Sequence, residues 1–275
     1  AAGDAGGSIG AALAFWHLEL KKDRKAKDNQ DSMKGSYLGT KYSNDEANKE
    51  LDRIGAVYEK YNYEEMIDIV AKEISKGKSA GWFQGKMEFG PRALGARSII
   101  ADPRDENMQK NLNLKIKFRE SFRPFAPAIL ECETKNWFDL DCDSPYMLMV
   151  ANILKDKRYE ESSNDKNLMG IDLLNVNRSQ VPAITHVDYS ARIQTVNKNN
   201  NYLFYLLIEK FYQITNVPIL VNTSFNIKDE PIVNSIEDAY RCFLITDLDY
   251  LVCGNYILDK KLQYSQKKWI ILKKN

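Results

Sequence analysis

Apolar segments of two kinds alternate along the chain, and their alternation limits the folds that it can adopt. Runs such as "NYEEMIDIVAKEISKGK" and "NYLFYLLIEKFYQIT" carry apolar residues at helical spacing. Shorter runs such as "SAGWFQGKM" and "VPILVNTSFN" are apolar and pass directly into turn-forming residues, which is typical of buried strands. Helices and buried strands in alternation predict a mixed α/β fold.

Several elements carry local signals at their ends. Ser43 or Asn44 is placed to cap a helix over "SNDEANKELDRIG". A helix is also expected to begin near Ser8 or Ile9, after a glycine-rich turn. The apolar run "YMLMVANIL" predicts a buried strand.

The charges on the chain nearly cancel. Its 39 lysines and arginines stand against 38 aspartates and glutamates, which gives a net charge of +1. Because no bulk positive field recruits nucleic acid, nucleic acid is not expected as a partner, and any anion binding must come from local clusters. The two histidines, His17 and His186, cannot by themselves build a histidine-rich metal site.

The sequence carries no signal for a membrane or for export. No apolar run approaches the ~20 residues that a membrane-spanning helix needs. The start, "AAGDAGGSIGAALAFW", is interrupted by Asp4 and no basic segment precedes it, so a signal peptide is not expected. This start is typical of the interior of a domain, as though the chain began within a fold. We therefore expect a cytoplasmic protein.

A first cationic cluster lies in the segment "GKMEFGPRALGARSIIADPR". Arg92 and Arg97 stand there among glycines, a proline and small residues, where no charged helix face can form. A guanidinium group matches two oxygens of a phosphate or carboxylate at once, so the loop is suited to bind an anion. The alternative is that these arginines form structural ion pairs with Glu88, Asp102 or Asp105.

A second cluster lies in "LKIKFRESFRPFAP", where Lys117, Arg119 and Arg123 are the candidate site residues. Lys117 and Arg119 share one face if the segment is extended. Phe118, Phe122 and Phe125 interleave with the charges and are expected to bury their surroundings. The alternative is a solvated basic edge strand, in which lysine discourages aggregation.

Two more polar clusters lie in "THVDYSARIQTV" and "LVNTSFNIKDEP". The first offers Arg192 and Thr195, with His186 as either a site residue or a satisfied structural histidine. The second ends a hydrophobic strand with amide and hydroxyl groups, from Asn222, Ser224 and Asn226. Ligands of α/β sheets bind at the carboxyl ends of strands. The alternative is an Asx or Ser/Thr turn that merely ends the strand.

The patterns of several other enzyme classes are missing from the sequence. It contains no Walker-type P-loop, no GxSxG and no HExxH. Nucleophilic catalysis therefore has no support, and what remains is a site rich in cationic and hydroxyl donors. Such a site performs phosphoryl or acyl-phosphate chemistry by clamping oxygens and stabilising developing charge.

The four clusters together resemble the O-carbamoyltransferases of the nodulation-protein type, which also serve antibiotic biosynthesis. The matching segments occur in the family order and span residues 85–233. In addition, "GDAGGSIGAAL" and "YLGTKYS" resemble the end of that family's N-terminal domain, a member of the actin-like ATPase group. The resemblance implies that residues 1–60 are a remnant of the actin-like domain and that residues 61–275 form a YrdC-like α/β domain.

The resemblance also implies an activity. In this family the YrdC-like domain is understood to convert carbamoyl phosphate and ATP, with Mg²⁺, to carbamoyl-adenylate. The carbamoyl group then passes to a hydroxyl of a sugar or another small molecule. The implied catalytic residues are Arg92, Lys117, Arg192 and Ser224. The implied companions that bind nucleotide are Arg97, Arg119, Arg123, Thr195, Asn222 and Asn226.

A metal site is implied for the N-terminal domain of this family, which holds Fe²⁺ or a similar divalent metal. Asp4 matches the metal-ligating aspartate, and the histidines that complete the site are expected upstream of it. The resemblance therefore does not imply that this chain alone transfers the carbamoyl group to an acceptor. The YrdC-like part is expected to form or bind the adenylate. The alternative is a YrdC-like module that binds nucleotide or RNA without catalysis.

Overall fold

The structure, a computed structural model, describes residues 3–25, 31–160, 168, 173 and 176–266. Nine strands among these residues form one mixed sheet in the order β1-β9-β8-β2-β3-β7-β4-β6-β5. The strands are β1 (Glu59–Lys60), β2 (Ala80–Phe83), β3 (Arg97–Ala101), β4 (Ala126–Leu130), β5 (Met149–Asn152), β6 (Ser190–Val196), β7 (Ile219–Ser224), β8 (Tyr250–Cys253) and β9 (Tyr256–Asp259). The predicted mixed α/β class is confirmed.

Helices connect many of these strands. They are α1 (Gly3–Ala14), α2 (Asn44–Arg53), α3 (Tyr63–Ser75), α4 (Met108–Asn111), α5 (Tyr202–Thr215) and α6 (Ile236–Ile245). A π-helical turn (Leu112–Ile116) continues α4. The predicted cap of α2 is confirmed, because the Ser43 hydroxyl accepts from the backbone N–H of Glu46 and the Glu46 carboxylate accepts from the backbone of Ser43.

Two expectations about single elements were wrong. The first helix begins at Gly3 rather than near Ser8. The strand predicted as buried is β5, which lies at the end of the sheet order and pairs only with β6. Among the described residues no strand pairs with the outer edge of β5, and Val150 is 60% exposed. No helix among the described residues combines the length and the apolar character needed to cross a bilayer.

One hydrophobic core runs through most of the chain. It includes Leu51 of α2, Ile74 of α3, Phe211 of α5 and Phe243 of α6, together with the central strands. Residues on both sides of position 60 therefore pack in the same cluster. The boundary between residues 1–60 and 61–275 remains a prediction.

Strand directions bring distant segments to one end of the sheet. β3 and β4 both run antiparallel to β7, and β6 runs parallel to β4. The start of β3 therefore lies beside the end of β7, where Ser98 pairs with Ser224. The starts of β4 and β6 lie at the same end, which we call the β7 end of the sheet. The segments that lead into β3 and β4 contain Arg92, Lys117, Arg119 and Arg123, whereas Arg97 lies in β3 and Arg192 in β6.

Candidate anion site

The two faces of the sheet separate the predicted residues at the β7 end. Side chains of paired residues share a face, and successive side chains along a strand alternate between faces. The pairings of Ser98 with Ser224 and of Ala128 with Gln194 thus define one face. We call this the Asn222 face. Its polar members are Ser98, Arg192, Gln194, Asn222 and Ser224.

Lys117 contacts the end of β7 directly. Its ammonium donates to the carbonyl and the hydroxyl of Ser224, the latter at 3.2 Å. It also donates to Oδ1 of Asn226 at 2.8 Å and to the carbonyl of Asn226 at 3.0 Å. The Ser224 hydroxyl in turn donates to Oδ1 of Asn226 at 2.8 Å. Three predicted residues from two segments therefore form one hydrogen-bonded group.

The charge of Lys117 is buried without a carboxylate beside it. The residue is 3% exposed, and no described carboxylate forms an ion pair with it. Burial, followed by repulsion from Arg119, lowers the pKa of Lys117 to about 7. Its four acceptors are neutral groups. A bound anion would supply the missing counter-charge and would favour the protonated amine.

Lys117 ends the π-helical turn rather than lying in an extended strand. The expectation that Lys117 and Arg119 share an extended face was therefore wrong. Arg119 instead donates from Nε to Oδ1 of Asn113 at 2.6 Å, and its guanidinium lies 5.1 Å from the ring centre of Phe125. Arg119 is half-buried close to Lys117, whereas Arg123 is exposed and pairs with Glu120 at 2.9 Å.

Arg92 and Arg192 form a second cationic pair at the β7 end. Both side chains are half-buried. Burial and then the field of Arg92 lower the pKa of Arg192. The Nε atom of each is buried and has no hydrogen-bond partner among the described residues. Two like charges held together with unused donors are suited to receive an anion with several oxygens.

A pair of buried amides fastens the Arg92 loop to the sheet. Asn222 donates from Nδ2 to the carbonyl of Ala93 at 3.1 Å and to Oε1 of Gln194 at 2.6 Å. Gln194 donates from Nε2 to the carbonyl of Leu94 at 2.8 Å. Gln194 was not among the residues predicted from the sequence. It lies two residues after Arg192, which puts both side chains on the same face of a strand, and this spacing could have indicated it.

Glu88 shapes the same loop from within. Its Oε1 accepts from the backbone N–H groups of Leu94, Ala96 and Arg97. Burial raises the pKa of Glu88, while these donors act in the opposite direction. The suggested pairing of Glu88 with an arginine side chain is thus replaced by bonds to the backbone. Among the described residues neither Arg92 nor Arg97 forms one of the suggested ion pairs, and Asp102 pairs instead with Arg104 at 2.6 Å.

Arg97 and Thr195 lie on the opposite face of the sheet from Asn222. Arg97 is 0% exposed, and its guanidinium donates to the carbonyls of Thr40, Gln84, Gly85 and Ala96. The guanidinium also lies 3.6 Å from the ring centre of Phe83. These contacts give Arg97 a packing role, and its position gives the expected binding role no support. Thr195 is likewise buried, and its hydroxyl accepts from the backbone N–H of Ser144 at 2.9 Å.

His186 lies in the loop that leads into β6, close enough to Arg192 for the arginine to lower its pKa. Burial is the larger cause of that lowering. A cavity of about 130 Å³ lies beside His186 and is also lined by Gln109 and Phe122. Phe118 and Phe122 are each 47% exposed. The expected burial is therefore confirmed for Phe125, which is 3% exposed, and was wrong for Phe118 and Phe122.

Asp4 lies in α1 as an exposed residue. Among the described residues, no group of three His, Cys, Asp or Glu side chains is placed to hold a metal ion. The metal role of Asp4 remains a prediction that depends on ligands from outside this group.

The comparisons with known proteins agree with the clusters in the sequence. The family model described as carbamoyltransferase C-terminus matches residues 71–260. The chain belongs to the carbamoyltransferase C-terminal family. The matched span contains every predicted site residue except Asp4.

Several curated relatives match the chain over different lengths. An uncharacterised protein from Synechocystis is 51% identical over 98% of this chain and 44% of its own length. The nodulation protein NolNO of Sinorhizobium fredii is 40% identical over 98% of this chain and 36% of its own length. The 3'-hydroxymethylcephem-O-carbamoyltransferase of Amycolatopsis lactamdurans is 34% identical over 62% of this chain and 28% of its own length. The chain thus spans less than half the length of these relatives.

A solved structure of HypF, described as phosphate- and nucleotide-bound, also aligns with the chain. It is 18% identical, has a TM-score of 0.41, and covers 66% of this chain and 20% of its own.

Proposed function

We propose that this carbamoyltransferase C-terminal chain binds carbamoyl phosphate and ATP and forms carbamoyl-adenylate. The observation that supports this proposal is the presence of two cationic groups at the β7 end of the sheet, namely Arg92 with Arg192, and Lys117 with Ser224 and Asn226. Two of these cations have unused buried donors, and the third has only neutral acceptors. A small anion rich in oxygen complements such a site.

In the proposed reaction, water first cleaves the acyl phosphate and releases inorganic phosphate and carbamate. A carbamate oxygen then attacks the α-phosphorus of ATP, and pyrophosphate leaves with its bonding electrons. Arg92 and Arg192 hold the oxygens of carbamoyl phosphate in place, and Lys117 neutralises charge that builds up on phosphate oxygens. Ser224 and Asn226 orient the ammonium group of Lys117.

Mg²⁺ fits this proposal as a companion of ATP. Magnesium in nucleotide sites is held largely by phosphate oxygens and water, with one or two carboxylates from the protein. It therefore needs no dedicated cluster of acidic side chains. The subsequent transfer of the carbamoyl group to a hydroxyl of a small-molecule acceptor belongs to the proposed function of the full-length protein, as does the Fe²⁺-type metal site that would include Asp4.

The direct test is an assay of pyrophosphate release by the purified chain. We expect release that requires both ATP and carbamoyl phosphate. Arg92→Ala should lower kcat/KM on the order of 100-fold, because it removes a donor to a charged group in a partly desolvated site. Lys86→Ala is the matched control, since Lys86 is an exposed cation of the same loop and should retain the rate.

Two outcomes contradict the proposal. Folded protein that binds neither carbamoyl phosphate nor ATP would exclude a site at the β7 end. Binding of RNA that weakens steeply with salt, without pyrophosphate release, would favour the non-catalytic module instead.

A further inference from the structure

Asn222 is held in one orientation by its own donors. Its Nδ2 donates to the carbonyl of Ala93 and to Oε1 of Gln194, and the orientation of Gln194 is fixed by its bond to the carbonyl of Leu94. A flip of either amide would set oxygen against oxygen, so the network selects this arrangement. The amide oxygen of Asn222 therefore has a fixed direction.

The amide oxygen of Asn222 is buried and accepts no hydrogen bond from the described residues. Asn222 is 1% exposed, and its Oδ1 has no hydrogen-bond partner among the described residues. Buried amide oxygens are nearly always paired, because an unpaired one loses its hydration without replacement. An unpaired acceptor next to a candidate ligand site therefore points to a donor on the ligand.

The side chain of Asn222 is joined to the segments that carry the cations described above. Arg92 is the neighbour in sequence of Ala93, whose carbonyl accepts from Asn222. Arg192 lies two residues from Gln194 on the same face of β6. Ser224, which contacts Lys117, lies two residues further along the strand of Asn222. The unpaired acceptor and the two unused arginine donors thus belong to segments that hydrogen bonds and strand pairing hold together.

The two arginines and the amide oxygen of Asn222 complement different parts of carbamoyl phosphate. The phosphate and carbonyl oxygens can accept from the arginines, while the amino group is a donor that those cations cannot bind. We propose that Oδ1 of Asn222 accepts a hydrogen bond from the carbamoyl NH₂ and so selects amide-bearing acyl phosphates over acyl phosphates with a methyl group. This inference rests on the proposed function, because it concerns the ligand of the same site.

The selection can be measured on the unmodified protein with two stable phosphonates of similar shape. Phosphonoacetamide carries an NH₂ group where acetonylphosphonate carries a methyl group. By titration calorimetry we expect phosphonoacetamide to bind more tightly on the order of 10- to 100-fold, as expected when loss of a ligand N–H leaves a buried acceptor unpaired. Equal affinities would overturn the inference, while binding of inorganic phosphate in the same experiment would leave the proposed function standing. If none of the three ligands binds, both proposals fail.

A variant of Asn222 assigns the selection to this side chain. Asn222→Ala removes the acceptor and should bring the two affinities within about twofold of each other, as for a site without that hydrogen bond. Thr223→Val is the control, because it changes the neighbouring residue on the opposite face of β7.

Far-UV circular dichroism decides whether each variant is folded. A folded Asn222→Ala that still prefers the amide would overturn the inference. If Asn222→Ala does not fold, the comparison of the two phosphonates on the unmodified protein decides, because equal affinities there overturn the inference.

Discussion

Lys117 and Arg97 are both buried cations at the same end of the sheet, yet their surroundings differ. Arg97 lies against a phenylalanine ring and several carbonyls, and the field of the Glu88 carboxylate partly offsets the burial that lowers its pKa to about 10. Lys117 has another cation, Arg119, as its main charged neighbour. A buried charge that the protein itself compensates stabilises the fold. One that it leaves uncompensated is suited to bind a ligand of opposite charge.

The largest expected effect concerns the uncompensated cation. Lys117→Met keeps most of the volume of the side chain but removes its charge. We expect the rate of pyrophosphate release to fall on the order of 10²–10³-fold, the usual loss when a charge-stabilising donor is removed. The free energy of unfolding should change little, because removal of the unpaired buried charge offsets the loss of donors to Ser224 and Asn226.

Lys115→Met is the matched control for that variant. Lys115 is an exposed lysine in the same π-helical turn. If both variants lost activity equally, the effect would come from the turn and the comparison between the two buried cations would lose its basis.

The second effect concerns the compensated cation. Arg97→Met removes donors from several buried carbonyls, so we expect the free energy of unfolding to fall by about 2–3 kcal/mol in urea denaturation. The protein that remains folded should bind inorganic phosphate with nearly unchanged affinity. Wild-type stability together with lost phosphate binding would instead place Arg97 in the ligand site.

The smallest effect is a dependence on pH. Because the pKa of Lys117 is lowered to about 7, its charge is lost as pH rises through that value. We expect the affinity for sulfate, which stays fully ionised, to fall about tenfold between about pH 6 and about pH 9, as for loss of one charge-assisted contact. Lys117→Met should remove this dependence, and an unchanged pH profile in that variant would contradict the assignment to Lys117.

The lowered pKa of Lys117 also affects the free energy of unfolding, which should rise with pH where the affinity for sulfate falls. Lys117 has a lower pKa in the folded chain than its ordinary value of 10.5. Between about pH 7 and that value the unfolded chain binds more protons, so the contribution of Lys117 to the free energy of unfolding rises with pH. Urea denaturation across this range should show the rise in the wild type and a smaller one in Lys117→Met.

Local patterns predicted many elements because their signals lie within a few residues. The capping box of α2 and the apolar run that becomes β7 are examples. The burial of β5 was predicted wrongly because burial depends on which elements cover the faces of a strand. Those elements come from distant segments, and a single sequence shows no such contacts.

The sequence by itself determined the polar clusters, the α/β class and the family to which they belong. The tertiary structure alone decided which cations lie close to one another and which neighbours each of them has. Lys117 reaches Asn226 across 109 positions of the chain, and Asn222 reaches Gln194 across 28. Arg97 and Arg192 look alike as letters in a motif. The alternation of side chains along paired strands places them on opposite faces, and only pairing between distant strands fixes which face is which.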